Sequence, residues 1–374
     1  MKRVGHLFES VTAYDNLLAA FHLARRGCGN TASVCRFVFY LEPELLRLQA
    51  ELCNETYRPG AYRFFSIHDP KEREIAVAPF RDRVVHHAIV RVLTPIYERV
   101  FIYDSYATRP GKGTHAAILR AQRFLRQRQF YLKTDIAQYF AHVDHDILLE
   151  TVQRKIKDQR LLRLLNRILR NTPIPGKGLP IGNLTSQFLA NVYLDPLDHE
   201  IKDRLGVRSY VRYMDDLVAF SDSSQELLDL RAAIAAFLSE RLLLNLKPDA
   251  TFLNRASHGL SFLGMRIFPH IIRVKPENRR RSLRRLRQRI AAWEQGRLDE
   301  DRMQQSIVSI TYDEKANRRA ILRFRRKAAQ ERARWKARSV SLSHLKCFLF
   351  GCMGLMAQAD SEHLRRKLCA KTWF

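Results

Sequence analysis

No run of 18 apolar residues occurs in this chain, so no membrane-spanning helix and no membrane partner are expected. The start Met1-Lys-Arg-Val-Gly-His6 lacks the apolar core of a signal peptide, and the expected location is cytoplasmic. Cysteine is sparse: Cys28, Cys35, Cys53, Cys347, Cys352 and Cys369 include no Cys-x-x-Cys pair and no His partner at zinc spacing. That excludes a zinc module and leaves reduced, mostly buried thiols as the expectation. No internal repeat or low-complexity segment appears apart from Arg-rich stretches near the C-terminus. Acidic residues are also few, 38 Asp+Glu against 65 Lys+Arg, for a net charge of +27 over 374 residues. Such an excess points to a polyanionic partner, nucleic acid before membrane surface. It is unevenly placed, with 27 Lys+Arg against 10 Asp+Glu in 271–374, a local +17.

Among the scarce acids, three stand in informative settings. Tyr210-Val-Arg-Tyr-Met-Asp-Asp-Leu-Val-Ala-Phe220 places Asp215 and Asp216 between two β-branched and aromatic runs. The pattern predicts two short strands joined by a tight turn, with both carboxylates at the turn. Adjacent carboxylates repel, so a cation is expected to keep them together, and Mg2+ suits oxygen ligands. A third acid, Asp135, ends the strand-like run Phe130-Tyr-Leu-Lys-Thr-Asp135, 80 positions before Asp215. A strand delivering Asp135 beside the hairpin would complete a three-carboxylate site for two metal ions. Such a site activates a primer 3′-hydroxyl and stabilises departing pyrophosphate in phosphoryl transfer.

The ordered set Asp135-Ile-Ala-Gln-Tyr139-Phe140, Tyr213-Met-Asp-Asp216 and Phe262-Leu263-Gly264 resembles the motifs of reverse transcriptases. Between them lies Leu179-Pro-Ile181-Gly182-Asn183-Leu-Thr-Ser186-Gln187. Most of the family carries Gln at the place of Ile181, and many have Ser-Pro where this chain has Ser186-Gln187. The form present here resembles the polymerases of diversity-generating retroelements. So do Pro79-Phe-Arg-Asp-Arg-Val-Val-His-His-Ala88 and Ser105-Tyr-Ala-Thr-Arg-Pro-Gly-Lys-Gly-Thr-His115. The likeness runs from about residue 65 to 270.

The resemblance implies an α+β, right-hand polymerase: a helical N-terminal extension (1–60), fingers and palm (61–270), and a basic helical thumb (271–374). Apolar spacing predicts helices before residue 60, over 83–100, within 143–178, and near 183–191 and 226–242. Strands are expected at 62–68, 74–78, 130–135 and within 252–268. In the thumb, Leu283, Leu286, Ile290 and Trp293 form one stripe opposite an arginine face, and a second basic helix is expected at 316–336.

Asp135, Asp215 and Asp216 are the expected ligands of two Mg2+ ions, with the Ile136 carbonyl a further candidate and Asp216 the weaker contact. Arg73, with Lys71 second, matches the arginine that contacts the incoming triphosphate. Tyr139 matches the aromatic gate that excludes a ribose 2′-hydroxyl. Ile181, Gly182, Asn183 and Gln187 would line the nucleotide pocket. Lys247 is the candidate for protonating pyrophosphate, and Phe262, Leu263 and Gly264 resemble the primer grip. Arg109, Lys112 and His115 are candidate template contacts. Arg284, Arg287 and Arg325 are expected on duplex phosphates. The expected function is RNA-directed DNA polymerase, copying template RNA from dNTPs into adenine-mutagenised cDNA beside a small basic helical accessory protein. The alternatives are a retron, group II intron or phage-defence reverse transcriptase, or an inactive nucleic-acid-binding scaffold.

Overall fold

The computed structural model describes residues 3–299 except 30, 69–71 and 173. Lys71, Arg325, Cys347, Cys352, Cys369 and the basic helix expected at 316–336 lie outside the described residues. Two units are distinguished: Met1–Leu263 with Ile267–Ile271, and Gly264–Arg266 with Ile272–Phe374.

The first unit opens with helices α1 (Phe8–Thr12), α2 (Tyr14–Arg25), α3 (Ala32–Phe39) and α4 (Leu41–Cys53). Leu17, Leu45, Leu48 and Leu52 are buried, as the apolar spacing required. Strands β1 (Arg63–His68) and β2 (Glu72–Val77) form an antiparallel hairpin before α5 (Phe80–Tyr97). Buried Asp82 on α5 accepts the Tyr57 hydroxyl at 2.7 Å and the Gly60 amide at 2.8 Å, tying the segment after α4 to α5. Cys28 is half-buried, but Cys35 and Cys53 are exposed, which corrects the expectation of buried thiols for these two.

Next come α6 (Thr114–Gln127), β3 (Phe130–Asp135), α7 (Tyr139–His142), α8 (His145–Gln153) and α9 (Gln159–Leu169). Asp158 caps α9 through the Leu161 amide and also accepts the Leu7 and Phe8 amides, so one carboxylate pins the chain start to this helix. Helix α10 (Leu184–His199) continues through Pro196 into a π-turn, well past the expected end near Asn191. Strands β4 (Tyr210–Tyr213) and β5 (Asp216–Ser221) precede α11 (Ser224–Arg241), whose first turn is capped by Ser223. With β6 (Phe252–Arg255) they build a four-stranded sheet ordered β4-β5-β3-β6, so β3 is central. Each adjacent pair is antiparallel. Helix α11 packs on β3 and β5, and α6 on β4 and β5. Short strands β7 (Leu260–Phe262), β8 (Met265–Ile267) and β9 (Ile272–Val274) follow.

In the second unit, α12 (Pro276–Glu294) carries the expected stripe: Leu286 is buried, with Leu283, Ile290 and Trp293 half-buried. Arg284 and Arg287 are exposed on its other face. Among the described residues no helix is long and apolar enough to cross a membrane.

Candidate active site

The site is built by sheet register. Strand β4 ends at Tyr213 and β5 begins at Asp216, so Met214 and Asp215 alone form the hairpin turn. Such two-residue turns need positive φ, and Met214 adopts φ 56°. A methionine there is strained, so something must hold it. Across the neighbouring pair, Asp135 stands directly opposite Asp216. Residues facing each other on antiparallel strands share a sheet face at about 5 Å between Cα atoms. The register therefore brings Asp135 to the two adjacent acids of the hairpin.

Their charges are crowded. Burial, then the Asp135 charge, pushes the Asp215 carboxyl up to about 7. Burial, then the Asp216 charge, raises Asp135, while Lys133 and Lys247 pull it down. A donor set of crowded carboxylate oxygens fits a hard divalent cation such as Mg2+. Yet among the described residues no three Asp, Glu, His or Cys side chains converge as a preformed metal cage. One oxygen of Asp216 is held by Lys133 Nζ at 2.9 Å. An ammonium thus stands on one of the three carboxylates.

The segment after α11 runs along the end of β3. The Lys247 amide donates to the Asp135 carbonyl, and the Ala137 amide to the Asn245 carbonyl, both at 2.8 Å. Lys247 is thus beside the acids, and Ile136 faces Leu246 between those two bonds.

What holds the turn is Arg212, fully buried on β4. Its guanidinium makes three bonds of 2.6–2.9 Å to Asp198 of α10, one of 3.1 Å to Asn191 Oδ1, and one of 3.1 Å to the Met214 carbonyl. Asp198, also fully buried, accepts the Tyr210 hydroxyl at 3.0 Å. The outer edge of β4 is covered by the segment before α6: the Arg212 amide donates to the Asp104 carbonyl, and the Tyr106 amide to the Arg212 carbonyl. Sequence reasoning missed Arg212, Asp198 and Lys133. The available signal was a charged residue inside each of two apolar strands, which demands a partner.

The loop carrying Ile181, Gly182 and Asn183 docks on β2. The Ala76 amide donates to the Ile181 carbonyl at 2.8 Å, and Asn183 Nδ2 to the Ala76 carbonyl at 3.1 Å. Gly182 has φ +114°, and a Cβ there would meet Ile75 Cγ2 at 2.8 Å, so only glycine fits. Arg73, exposed on β2, is two residues from Ile75 and so points to the same face of the hairpin. Gln187 is half-buried, its side-chain oxygen 3.5 Å from the Thr108 hydroxyl.

Three other assignments change. Arg109 grips both Glu98 oxygens and the carbonyls of Ile102 and Ser105, with its side chain 5% exposed. It is a loop brace and not an open template contact. The Lys112 ammonium donates to the Tyr103 carbonyl at 2.9 Å and lies 3.3 Å from the Tyr103 ring centre, so it too is engaged. His115 stays exposed. Tyr139, expected as the sugar gate, is buried with its hydroxyl donating to the Ala190 carbonyl, whereas neighbouring Phe140 is half-buried. Phe262 is wholly buried, and the following Leu263 and Gly264 turn with φ 46° and 83°.

Several known proteins are similar to this chain. YkfC of Escherichia coli (strain K12) is 26% identical over 61% of this chain and 72% of its own length. The group II intron-encoded protein LtrA of Lactococcus lactis subsp. cremoris is 28% identical over 42% of this chain and 28% of its own. An uncharacterized 91 kDa protein in the cob intron of Schizosaccharomyces pombe is 30% identical over 39% of this chain and 19% of its own. The chain thus spans less than a third of the length of the last two. The family model for reverse transcriptase (RNA-dependent DNA polymerase) matches residues 68–267, more than half of the chain. Acids, turn and sheet register accordingly sit within that match, and the chain belongs to the reverse transcriptase family of RNA-directed DNA polymerases.

Proposed function

We propose that this chain copies a template RNA into cDNA by metal-assisted phosphoryl transfer, in the manner of diversity-generating retroelements and at a cytoplasmic site of action. The pairing of Asp135 with Asp216, beside Asp215 in the turn, carries the reading. The β1–β2 hairpin then serves as fingers, the four-stranded sheet as palm, 1–60 as the N-terminal extension, and α12 as the start of a thumb within 271–374. Bound Mg2+, two ions in this reading, supplies the positive charge that activates the primer hydroxyl and stabilises pyrophosphate. Asp135, Asp215 and Asp216 hold that charge in place. Arg73 binds the triphosphate from the β2 side, and Lys247 gives a proton to the leaving group. Arg284 and Arg287 face duplex phosphates, and a small basic helical protein assists.

Sugar choice falls to Phe140 on this geometry, because Tyr139 is sealed in the core. Phe140→Ala should raise ribonucleotide over deoxyribonucleotide incorporation by roughly tenfold or more. Tyr139→Ala should chiefly lower the melting temperature, since it empties a buried aromatic site. Unchanged discrimination by Phe140→Ala would remove that residue from the gate.

The mutagenic reading is supported by Ile181 and by Ser186-Gln187. Ile181 offers no side-chain donor or acceptor to the nascent base pair. Apolar contacts discriminate by only about 1–3 kcal/mol. A mispair opposite adenine, whose correct pair has two hydrogen bonds, is then weakly penalised. Ile181→Gln should lower errors opposite template adenine more than opposite other bases, read by sequencing cDNA made on a defined RNA. Identical error spectra for wild type and mutant would remove Ile181 from the mechanism and leave the polymerase assignment untouched; a second reading is a polymerase of the group II intron type. That alternative has its own support in the likeness to LtrA and other intron-encoded proteins.

A further inference from the structure

Lys133 and Asp135 are two residues apart on β3 and so project from one face of the sheet. Asp135 faces Asp216 and Lys133 faces Val218, which puts Lys133 on the diagonal from Asp216. A long side chain spans that diagonal. Its Nζ lies 2.9 Å from Asp216 Oδ1, with the two side chains 17% and 27% exposed. The pair is therefore partly withdrawn from water, unlike the solvated ion pairs that contribute little.

We propose that Lys133 is a resident counter-ion of the candidate metal site, holding Asp216 until a divalent ion displaces it, so that metal binding there exchanges one cation for another. The inference rests on the reading of Asp135, Asp215 and Asp216 as the metal-holding group. An ammonium and a metal ion compete for the same carboxylate oxygen, and their like charges repel at close range. The exchange makes three crowded acids compatible with the metal-free fold and weakens metal affinity in return. It is a positioning and charge-balancing role, separate from any contact with substrate.

The test is Mn2+ binding to the full chain without nucleic acid, followed by the electron paramagnetic resonance signal of the free ion. Lys133→Met and Lys133→Gln should bind Mn2+ about tenfold more tightly than wild type, or better. Their melting temperatures should be lower without metal and rise more on adding it. Lys133→Arg, which keeps the ion pair, should stay close to wild type. Asp215→Asn is the separate check on the underlying reading: if it binds Mn2+ as wild type does, the acids are not the ligands. If Asp215→Asn loses binding while the Met and Gln variants bind no more tightly than wild type, the counter-ion role is overturned. Should either Lys133 variant fold only when Mn2+ is present, that too supports the exchange.

Discussion

Asp215→Asn, and separately Asp135→Asn, should leave the chain folded and able to bind RNA while lowering nucleotide incorporation by several orders of magnitude. The size follows from the chemistry, since a misplaced metal loses both nucleophile activation and charge stabilisation of the leaving group. Asn keeps the shape of each side chain and removes one negative charge. Because burial and mutual repulsion raise both carboxyls, neutralising either should not destabilise the metal-free fold and should relieve its neighbours. Binding is expected to survive because the exposed arginines of α12 lie on a different element. Primer extension on a homopolymer RNA, with filter binding of the same RNA in parallel, separates the two effects. Near-normal extension by either mutant would mean that these acids do not hold the catalytic ion.

The second large effect belongs to Arg212. Removing one partner of a fully buried ion pair costs about 3–5 kcal/mol, because the other charge is left uncompensated. Arg212→Met should therefore lower the denaturation midpoint strongly, with Asp198 stranded in the core. Neutralising both, as Arg212→Met with Asp198→Asn, should recover much of that loss, and the amide oxygen of the substituted side chain would still accept the Tyr210 hydroxyl. Activity should not recover with it, since the Met214 carbonyl has lost its tether and the strained turn its support. A denaturant midpoint and an extension rate on each of the four proteins complete the cycle. If activity returned together with stability, Arg212 would serve the core alone.

The local pattern around the acids was legible because it follows side-chain chemistry at short range. Alternating β-branched and aromatic residues across 210–220 gave the hairpin, and the apolar run at 130–135 gave β3. The pairing of Asp135 with Asp216 was not readable, since register is decided by what each face buries. Arg212 could be seen to need a partner, yet Asp198 lies 14 residues upstream, beyond where α10 was expected to stop. Pro196 obscured that continuation, which the burial of Val192, Tyr193, Leu194 and Leu197 supports. Arg109 and Tyr139 illustrate the other failure. A loop arginine and a motif tyrosine look available in sequence, but Glu98 and the Ala190 carbonyl claim them in the fold. Residue type told what these groups can bond, and tertiary contact decided what they do bond.

The proposed metal site joins Asp135 of β3 to Asp215 and Asp216 of the β4–β5 hairpin, with the segment after α11 close beside them. Iron-mediated cleavage tests it directly. Fe2+ replaces Mg2+ in the protein, ascorbate and peroxide generate hydroxyl radicals at the bound metal, and the cut sites are mapped by mass spectrometry. Cuts should cluster around 135–137, 213–217 and 245–247, and excess Mg2+ should suppress all three together. Cleavage confined to one of these segments, or elsewhere in the chain and indifferent to Mg2+, would contradict a shared metal site.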